Sequence, residues 1–288
     1  MSAKPALTTF VSVVMPSYNQ AAYLTEAIDS VLQQSWPHLE LIVQDGGSTD
    51  GSQDILRIKA QQDSRLRWHS APDSGPAQAL NMALSKTRGT LIGWLNSDDR
   101  YTPGAIQRAV QAFEQNPSWL VCYGEGQHID AKGKVLNRYP TKPMASKEAF
   151  QDGCFICQPT VFFKKVVYTL LGPFDESLGA SFDFDYWLRA YNAFEQRIGY
   201  LPGIQAQSRL HNACITHNQR ERVALEGMAV LAQHQGNAPG HWLLSYFEER
   251  NLTEVSVTER QTLIEQVKPF MAPKEWQALK INLLCTQG

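Results

Sequence analysis

Short apolar runs alternate with amphipathic segments through the first half of the chain. Val11 to Met15 is a β-branched run followed by the turn cluster Pro16, Ser17, Tyr18 and Asn19. Ala21 to Gln34 carries Leu24, Ile28, Val31 and Leu32 at helical spacing. Leu39 to Val43 reads as a second buried strand, ending at Asp45, Gly46 and Gly47, and Asp54 to Gln62 as a helix. Leu66 to His69 predicts a short strand, Ala77 to Lys86 a helix, and Leu91 to Leu95 a fourth strand closing at Asn96, Ser97, Asp98 and Asp99. Pro103 fits the first position of a helix running to Gln115. Strands alternating with helices predict an α/β fold with a mostly parallel sheet and right-handed crossovers. Ligands of such sheets bind beyond the carboxyl ends of the strands, where the polar clusters after Met15, Val43 and Leu95 fall.

Beyond this half the pattern loosens. Trp119 to Tyr123, Thr160 to Phe163, Gln196 to Leu201 and Gln205 to Leu210 read as strands, and Phe182 to Glu195 as a helix. From Gln219 the pattern is helical, with breaks near Gly236 to Gly240 and Met271 to Lys274. The chain of 288 residues is long enough to bury a full core without disulfide or metal staples. With 26 Lys and Arg against 28 Asp and Glu, it lacks the basic footprint of a nucleic-acid binder. No apolar run approaches the ~18 residues of a membrane span, and Met1 to Phe10 lacks the pattern of a signal peptide. Five irregularly spaced cysteines fit a reducing compartment, so a cytoplasmic protein is expected. Cys154 and Cys157 have no second pair at zinc spacing and read as buried thiols. Neither a dinucleotide fingerprint nor a P-loop is present.

Three strand-end turns carry candidate chemistry. Asp98 and Asp99 precede a helix, where carboxylates can reach a crevice and share a hard cation with substrate phosphates; the pair also suits an ordinary surface turn. In Asp45 to Asp50 the glycines permit close backbone approach, while Thr49 or Asp50 can cap a helix. Asp73, Ser74, Gly75 and Pro76 precede a helix N-terminus, whose free N–H groups suit phosphate.

Together these segments resemble the family-2 glycosyltransferases, whose fold is termed GT-A. The matching stretches are Val11 to Asn19, Gln44 to Asp50, Asp73 to Asn81 and Gly93 to Asp99, in the family's order. Gly172 to Leu178, Asp183 to Arg189, and Arg209 to His211 extend the resemblance to about residues 10–212. It implies inverting transfer of a sugar from a nucleotide diphosphate sugar to a carbohydrate or lipid-linked saccharide acceptor, in surface polysaccharide synthesis. Pro16, Ser17, Tyr18, Asp45, Gly75, Asn96 and Asp98 are then the donor-binding positions. Asp98 and His211 are the positions for a divalent cation, Mn2+ or Mg2+, although a lone histidine also suits an ordinary packing role. Asn96 stands where the family's Asp-x-Asp motif begins with Asp, and Phe182 where a Glu is usual.

A developing diphosphate charge calls for a cation, and the acceptor hydroxyl for a base. By the motif match that base is Asp183. Residues two apart on a helix point about 200° apart, so Asp183 and Asp185 cannot face one site together. Asp185 has Arg189 at the i,i+4 spacing of an ion pair. The resulting division is 1–100 for the nucleotide-sugar half, 101–215 for the acceptor and catalytic half, and 216–288 for a helical C-terminal extension. The expected setting is cytoplasmic, with peripheral association at the inner membrane face left open. Two other classes remain open: a nucleotide-sugar-binding scaffold, favoured by Asn96 and Phe182, and a glycoside hydrolase using Asp98 and Asp183.

Overall fold

A computed structural model describes residues 9–250 and 255–285. Strand β1 (Val11–Ser17) and strand β2 (Leu39–Asp45) are buried at every position, as expected of strands covered on both faces. They run parallel from Val11 opposite Leu39 to Ser17 opposite Asp45. Outside β2 lies β3 (Leu66–Ser70), and on the other side of β1 lies β4 (Leu91–Trp94), both also parallel. The chain therefore winds outward from β1 to β3 and then returns to the opposite flank of β1. The turn in winding direction opens a crevice between the carboxyl ends of β1 and β4.

Beyond β4 the sheet becomes mixed. Strands β5 (Arg100–Tyr101), β6 (Val121–Ile129), β7 (Val135–Arg138), β8 (Phe162–Lys164) and β9 (Ile198–Arg209) complete it, in the order β3-β2-β1-β4-β8-β6-β9-β5 with β7 paired to β6. Strand β8 is antiparallel to both neighbours, whereas β6 and β9 run parallel. The segments Gln196 to Leu201 and Gln205 to Leu210, read from sequence as two strands, are one bulged strand. Gly124 pairs with Leu201 and Glu125 with Ile204, so Pro202 and Gly203 are absorbed in the bulge.

The alternation along β1 divides the core. Val11, Val13 and Met15 face helix α1 (Ala21–Leu32) and helix α4 (Ala105–Gln115), packing with Leu24, Ile28, Ile106 and Phe113. Val14 faces the other layer, with Leu84 of α3 (Pro76–Ser85) and Trp187 of α6 (Phe182–Phe194). Helix α2 (Ser52–Gln62) adds Leu56 to the first layer. After the single turn α7 (Ile215–Asn218), the second layer continues into the C-terminal helices: Leu231 of α8 (Arg220–Gln235), Phe247 of α9 (His241–Glu249) and Leu263 of α10 (Val257–Val267) share it.

Three other departures from the sequence reading have local causes. Pro103 lies outside α4, because Gly104 adopts φ +77° and reverses the chain before the helix begins at Ala105. Gln158–Thr160 forms a single 3-10 turn ahead of β8. A short helix, α5 (Lys165–Leu171), follows β8. Among the described residues, no helix is long and apolar enough to cross a membrane.

Candidate functional site

Two cavities meet beyond the strand ends. The first, of about 670 Å3, is bounded by Pro16, Ser17 and Tyr18 after β1, Gly46 after β2, Asp73 to Pro76 before α3, and Asn96 to Asp99 after β4. The second, of about 450 Å3, lies under α6 and α9. Asn96, Asp99, Phe182, Ser208, Leu210 and Ile215 line both and form the wall between them.

Six of the seven expected donor positions, Pro16, Ser17, Tyr18, Gly75, Asn96 and Asp98, converge on the first cavity. Tyr18 stands at its mouth with its ring exposed, and the buried hydroxyl of Ser17 has no hydrogen-bond partner among the described residues. Gly75 holds φ +137°, which strains any residue with a side chain, and opens α3. Asp45, by contrast, is absent from the lining. It is fully buried, and its carboxylate accepts from the N–H groups of Gly47 and Ser48 and from the hydroxyls of Ser48 and Ser70. Its lone pairs are spent on shaping its own loop. The acid that lines the cavity instead is Asp73, which the sequence reading placed only in a turn. A Cβ at position 46 would lie 2.9 Å from its carboxylate, so Gly46 is what allows Asp73 to come so close. Burial, and then the charge of Asp45, raise the Asp73 carboxyl above its ordinary range.

On the far wall Asp98 lines the first cavity, and His211, which lines neither cavity, is buried behind it. His211 Nδ1 accepts from the N–H of Ala213, which turns Nε2 toward Asp98 Oδ2 at 3.0 Å. Arg209, which sequence reasoning quoted only as a neighbour of His211, secures this corner. Its guanidinium donates to the Asp98 carbonyl (2.7 Å) and to Glu26, and sits over the Tyr23 ring. Its own N–H donates to Asp99 Oδ1 at 2.8 Å. Burial, reinforced by the neighbouring Asp98, raises the Asp99 carboxyl well above the usual carboxylate range.

The Asp98–His211 spacing matches either a hydrogen bond or two donors on one cation, since ligands at right angles 2.0–2.1 Å from a metal lie about 3 Å apart. The donor set, one carboxylate and one imidazole, thus fits a divalent cation whose remaining ligands come from phosphate oxygens. Among the described residues, no group of three or more His, Cys, Asp or Glu converges on a metal-sized space.

Asp183 lies in the first turn of α6 and lines the second cavity. Burial pushes its carboxyl up to about 6, although its oxygen accepts from the Phe184 N–H at 2.7 Å. Asp185 faces away from both cavities. It is buried between Arg189 Nε and His234 Nε2, each at 2.8 Å. Burial of Asp185 takes its pair with Arg189 out of the exposed, weakly stabilising class.

The second cavity also recruits residues that sequence reasoning did not single out, among them His128, Tyr139 and His241. Trp242 packs on Gly227 and Phe184 and also lines this cavity. No strand-end motif marks these positions; they come from hairpin and helix surfaces brought together only by folding. Cys154 and Cys157 line it as well, and burial pushes the Cys154 thiol up to about 12.

A strand-switch crevice with a glycine-rich rim, an acid–imidazole pair and a half-buried carboxylate across a shared wall is the arrangement of a ligand-binding α/β protein with two adjoining cavities. Residues 12–171 match the model of glycosyl transferase family 2, more than half of the chain, and the protein belongs to that family. It is similar to chondroitin synthase of Escherichia coli, with 30% identity over 179 residues covering 62% of this chain. The match spans only 26% of that longer protein. In fold it is similar to residues 1–349 of S. aureus TarS in complex with UDP (TM-score 0.69, 19% identity, 96% of this chain and 89% of that one). It is also similar to the mannosyltransferase PcManGT from Pyrobaculum calidifontis in complex with GDP-Man and Mn2+ (TM-score 0.63, 17% identity, 100% and 78%).

Proposed function

We propose that the protein transfers a sugar, with inversion, from a nucleoside diphosphate sugar in the first cavity to a carbohydrate or lipid-linked saccharide acceptor in the second. The observation that carries this reading is the shared wall: Asp98, backed by the buried His211, lines the cavity on one side of it and Asp183 the cavity on the other. Tyr18, Ser17 and Asp73 hold the nucleoside, and Gly75 leaves the N-terminus of α3 open to the diphosphate. Asp183 takes the proton of the acceptor hydroxyl as its oxygen bonds to the anomeric carbon. The bond from that carbon to the diphosphate breaks on the opposite face, and the electron pair leaves with the nucleoside diphosphate. A carboxyl near pH 6 is ionised at neutral pH yet basic enough to accept a proton in the transition state.

Asp98 and His211 would hold the divalent cation, Mn2+ or Mg2+. That cation supplies positive charge to the departing diphosphate. The relatives' names support polysaccharide synthesis as the setting, and the proposed location is the cytoplasm, with peripheral association at the inner membrane face open. The proposed division places donor binding chiefly in 1–100, acceptor and catalytic residues in 101–215 and a C-terminal extension from 216, with Phe182 and Ser208 to Leu210 reaching the first cavity and His241 and Trp242 the second across those bounds. The test is a transfer assay over UDP- and GDP-sugars and an oligosaccharide panel, run on the wild type and Asp183→Asn. The reading requires wild-type transfer that the variant loses while still binding UDP or GDP; nucleotide binding without transfer on any acceptor overturns it in favour of a scaffold.

A further inference from the structure

Glu226 lies on α8, well beyond the family-matched segment, yet both of its carboxylate oxygens are engaged at the start of α6. Oε1 accepts from the Gly179 N–H (3.0 Å) and from Arg222 Nε (2.6 Å). Oε2 accepts from the N–H groups of Ala180 (2.8 Å) and Ser181 (2.9 Å). Ser181 is the residue that caps α6, and Phe182 and Asp183 follow directly. The fit is close on both sides, since a Cβ at position 179 would meet the Arg222 guanidinium at 2.0 Å. Burial works against the charge of Glu226, but the three N–H groups and Arg222 together hold its carboxyl below the usual glutamate range.

We propose that Glu226 is a positioning residue for sugar transfer: it clamps the backbone of 179–181 and so fixes where Phe182 stands in the wall between the cavities and where Asp183 enters the second. Phe182 stacks on Trp94 at 5.5 Å within the shared wall, so a shift of this segment moves the wall and the carboxylate together. Four donors converge on this one group, and a carboxylate has acceptor sites for all of them. A glutamine offers one acceptor oxygen and turns an NH2 against N–H groups. Helix α6 is otherwise held by buried Phe184, Trp187 and Leu188, so loss of the clamp leaves the helix in place and frees only its leading segment. Misplacement by about 1 Å costs transfer on the order of a hundredfold.

The inference rests on Asp183 being the base of the proposed transfer, and the test separates the two. Full-length Glu226→Gln, Glu226→Ala and Glu226→Asp are compared with wild type and Asp183→Asn. The assays are transfer kinetics across pH, UDP and GDP affinity, and amide exchange of 179–183. Glu226→Gln and Glu226→Ala are expected to lose tenfold to a hundredfold in kcat and keep nucleotide affinity within twofold. Exchange at 179–181 should quicken at least tenfold, and Glu226→Asp should recover part of the rate. The acid limb of kcat should also move below its wild-type position near pH 6, because a loosened leading segment lets water reach Asp183, whose carboxyl is raised by burial. Tyr139, Cys154, His128, His241, Asp152 and Asp99 share the Asp183 cavity and are the same in every Glu226 variant, so the difference between profiles reports Asp183.

Wild-type kcat, pH limb and exchange in Glu226→Gln and Glu226→Ala overturn the inference while leaving the transfer reading intact. So does a loss of kcat matched by lost nucleotide affinity and a lowered unfolding temperature, which marks general damage. A wild type inert toward every sugar nucleotide overturns the transfer reading and the positioning role with it, and amide exchange then still decides whether the clamp exists.

Discussion

The indole N–H of Trp94 donates to the side-chain oxygen of Asn96 at 2.9 Å. The amide nitrogen of Asn96 donates in turn to Gln158 Oε1, also at 2.9 Å, and has Asp99 Oδ2 at 3.5 Å. Gln158 is itself anchored through its Nε2 to the Trp94 carbonyl. An amide therefore suits position 96 where the family motif carries an acid: two acceptors face its nitrogen.

Asn96→Asp should consequently destabilise the protein by about 1–3 kcal/mol, the usual cost of opposed or unpaired buried acceptors. Urea unfolding at pH 7 measures it. Unchanged or increased stability would show that Gln158 reorients freely and that the amide is not structurally required.

Asp98→Asn tests the proposed cation corner. With one carboxylate and one imidazole, most of the affinity comes from the diphosphate, so nucleotide-free protein should retain little metal after dialysis. The variant should weaken Mn2+-dependent UDP or GDP binding tenfold or more, about 1.4 kcal/mol. Calorimetry with and without Mn2+ decides it; equal affinities, or a stoichiometric metal in the nucleotide-free protein, contradict it.

Asp183 and Asp185 should separate cleanly. Asp183→Asn should cut transfer about 10²–10⁴-fold, as for loss of a general base, with nucleotide binding retained. Its folded value of about 6 lies above that of an unfolded aspartate. The proton thus favours the fold: that stability is fully present below about pH 4 and is lost as pH rises through 6. Asp183→Asn should therefore stabilise the protein at pH 7, on the order of 1–3 kcal/mol. Asp185→Asn removes the charge held between Arg189 and His234 and should cost about 3 kcal/mol, leaving per-molecule activity of the folded fraction near normal. Thermal unfolding beside active-site-normalised rates distinguishes them, and the reverse pattern would exchange the two roles.

In wild type, kcat should fall tenfold per pH unit below about pH 6, the position set by burial of Asp183. A pH–rate profile in which this limb persists in Asp183→Asn would assign it to another group.

Glu40 gives a purely structural contrast. It is buried in β2 and accepts from Ser12, from Arg67, and from both the backbone and the side chain of Arg88. Burial opposes its charge, but these bonds hold its carboxyl below the ordinary glutamate range. Its contribution is present above about pH 4.5 and lost as pH falls through the lowered value. Glu40→Gln should cost about 1–3 kcal/mol at pH 7 and less toward pH 3, read by unfolding at both pH values.

Local patterning carried much of the first half. Strands such as Leu39–Asp45 announce themselves by their apolar core, here Leu41 to Val43, and the turns near the strand ends carry Tyr18, Gly75, Asn96 and Asp98 into one cavity because parallel strands end on one side. The reading weakened where neighbours in sequence differ in surroundings. Asp45 and Asp73 are both acids in strand-end turns, yet four local donors tie up the first and close approach past Gly46 leaves the second facing the cavity.

What the sequence determined by itself was the α/β alternation, the polar loops at the strand ends and the opposition of Asp183 to Asp185, because each follows from the periodicity of the elements concerned. Tertiary structure alone decided that β8 and β9 close the sheet as they do, and that Trp242 and His241 wall the second cavity. It alone decided that Glu226 meets the backbone of Gly179 to Ser181. Those contacts join segments about 45 residues or more apart, and they exist because the C-terminal helices bury their apolar faces on the same layer that holds Trp94, Phe182 and Trp187.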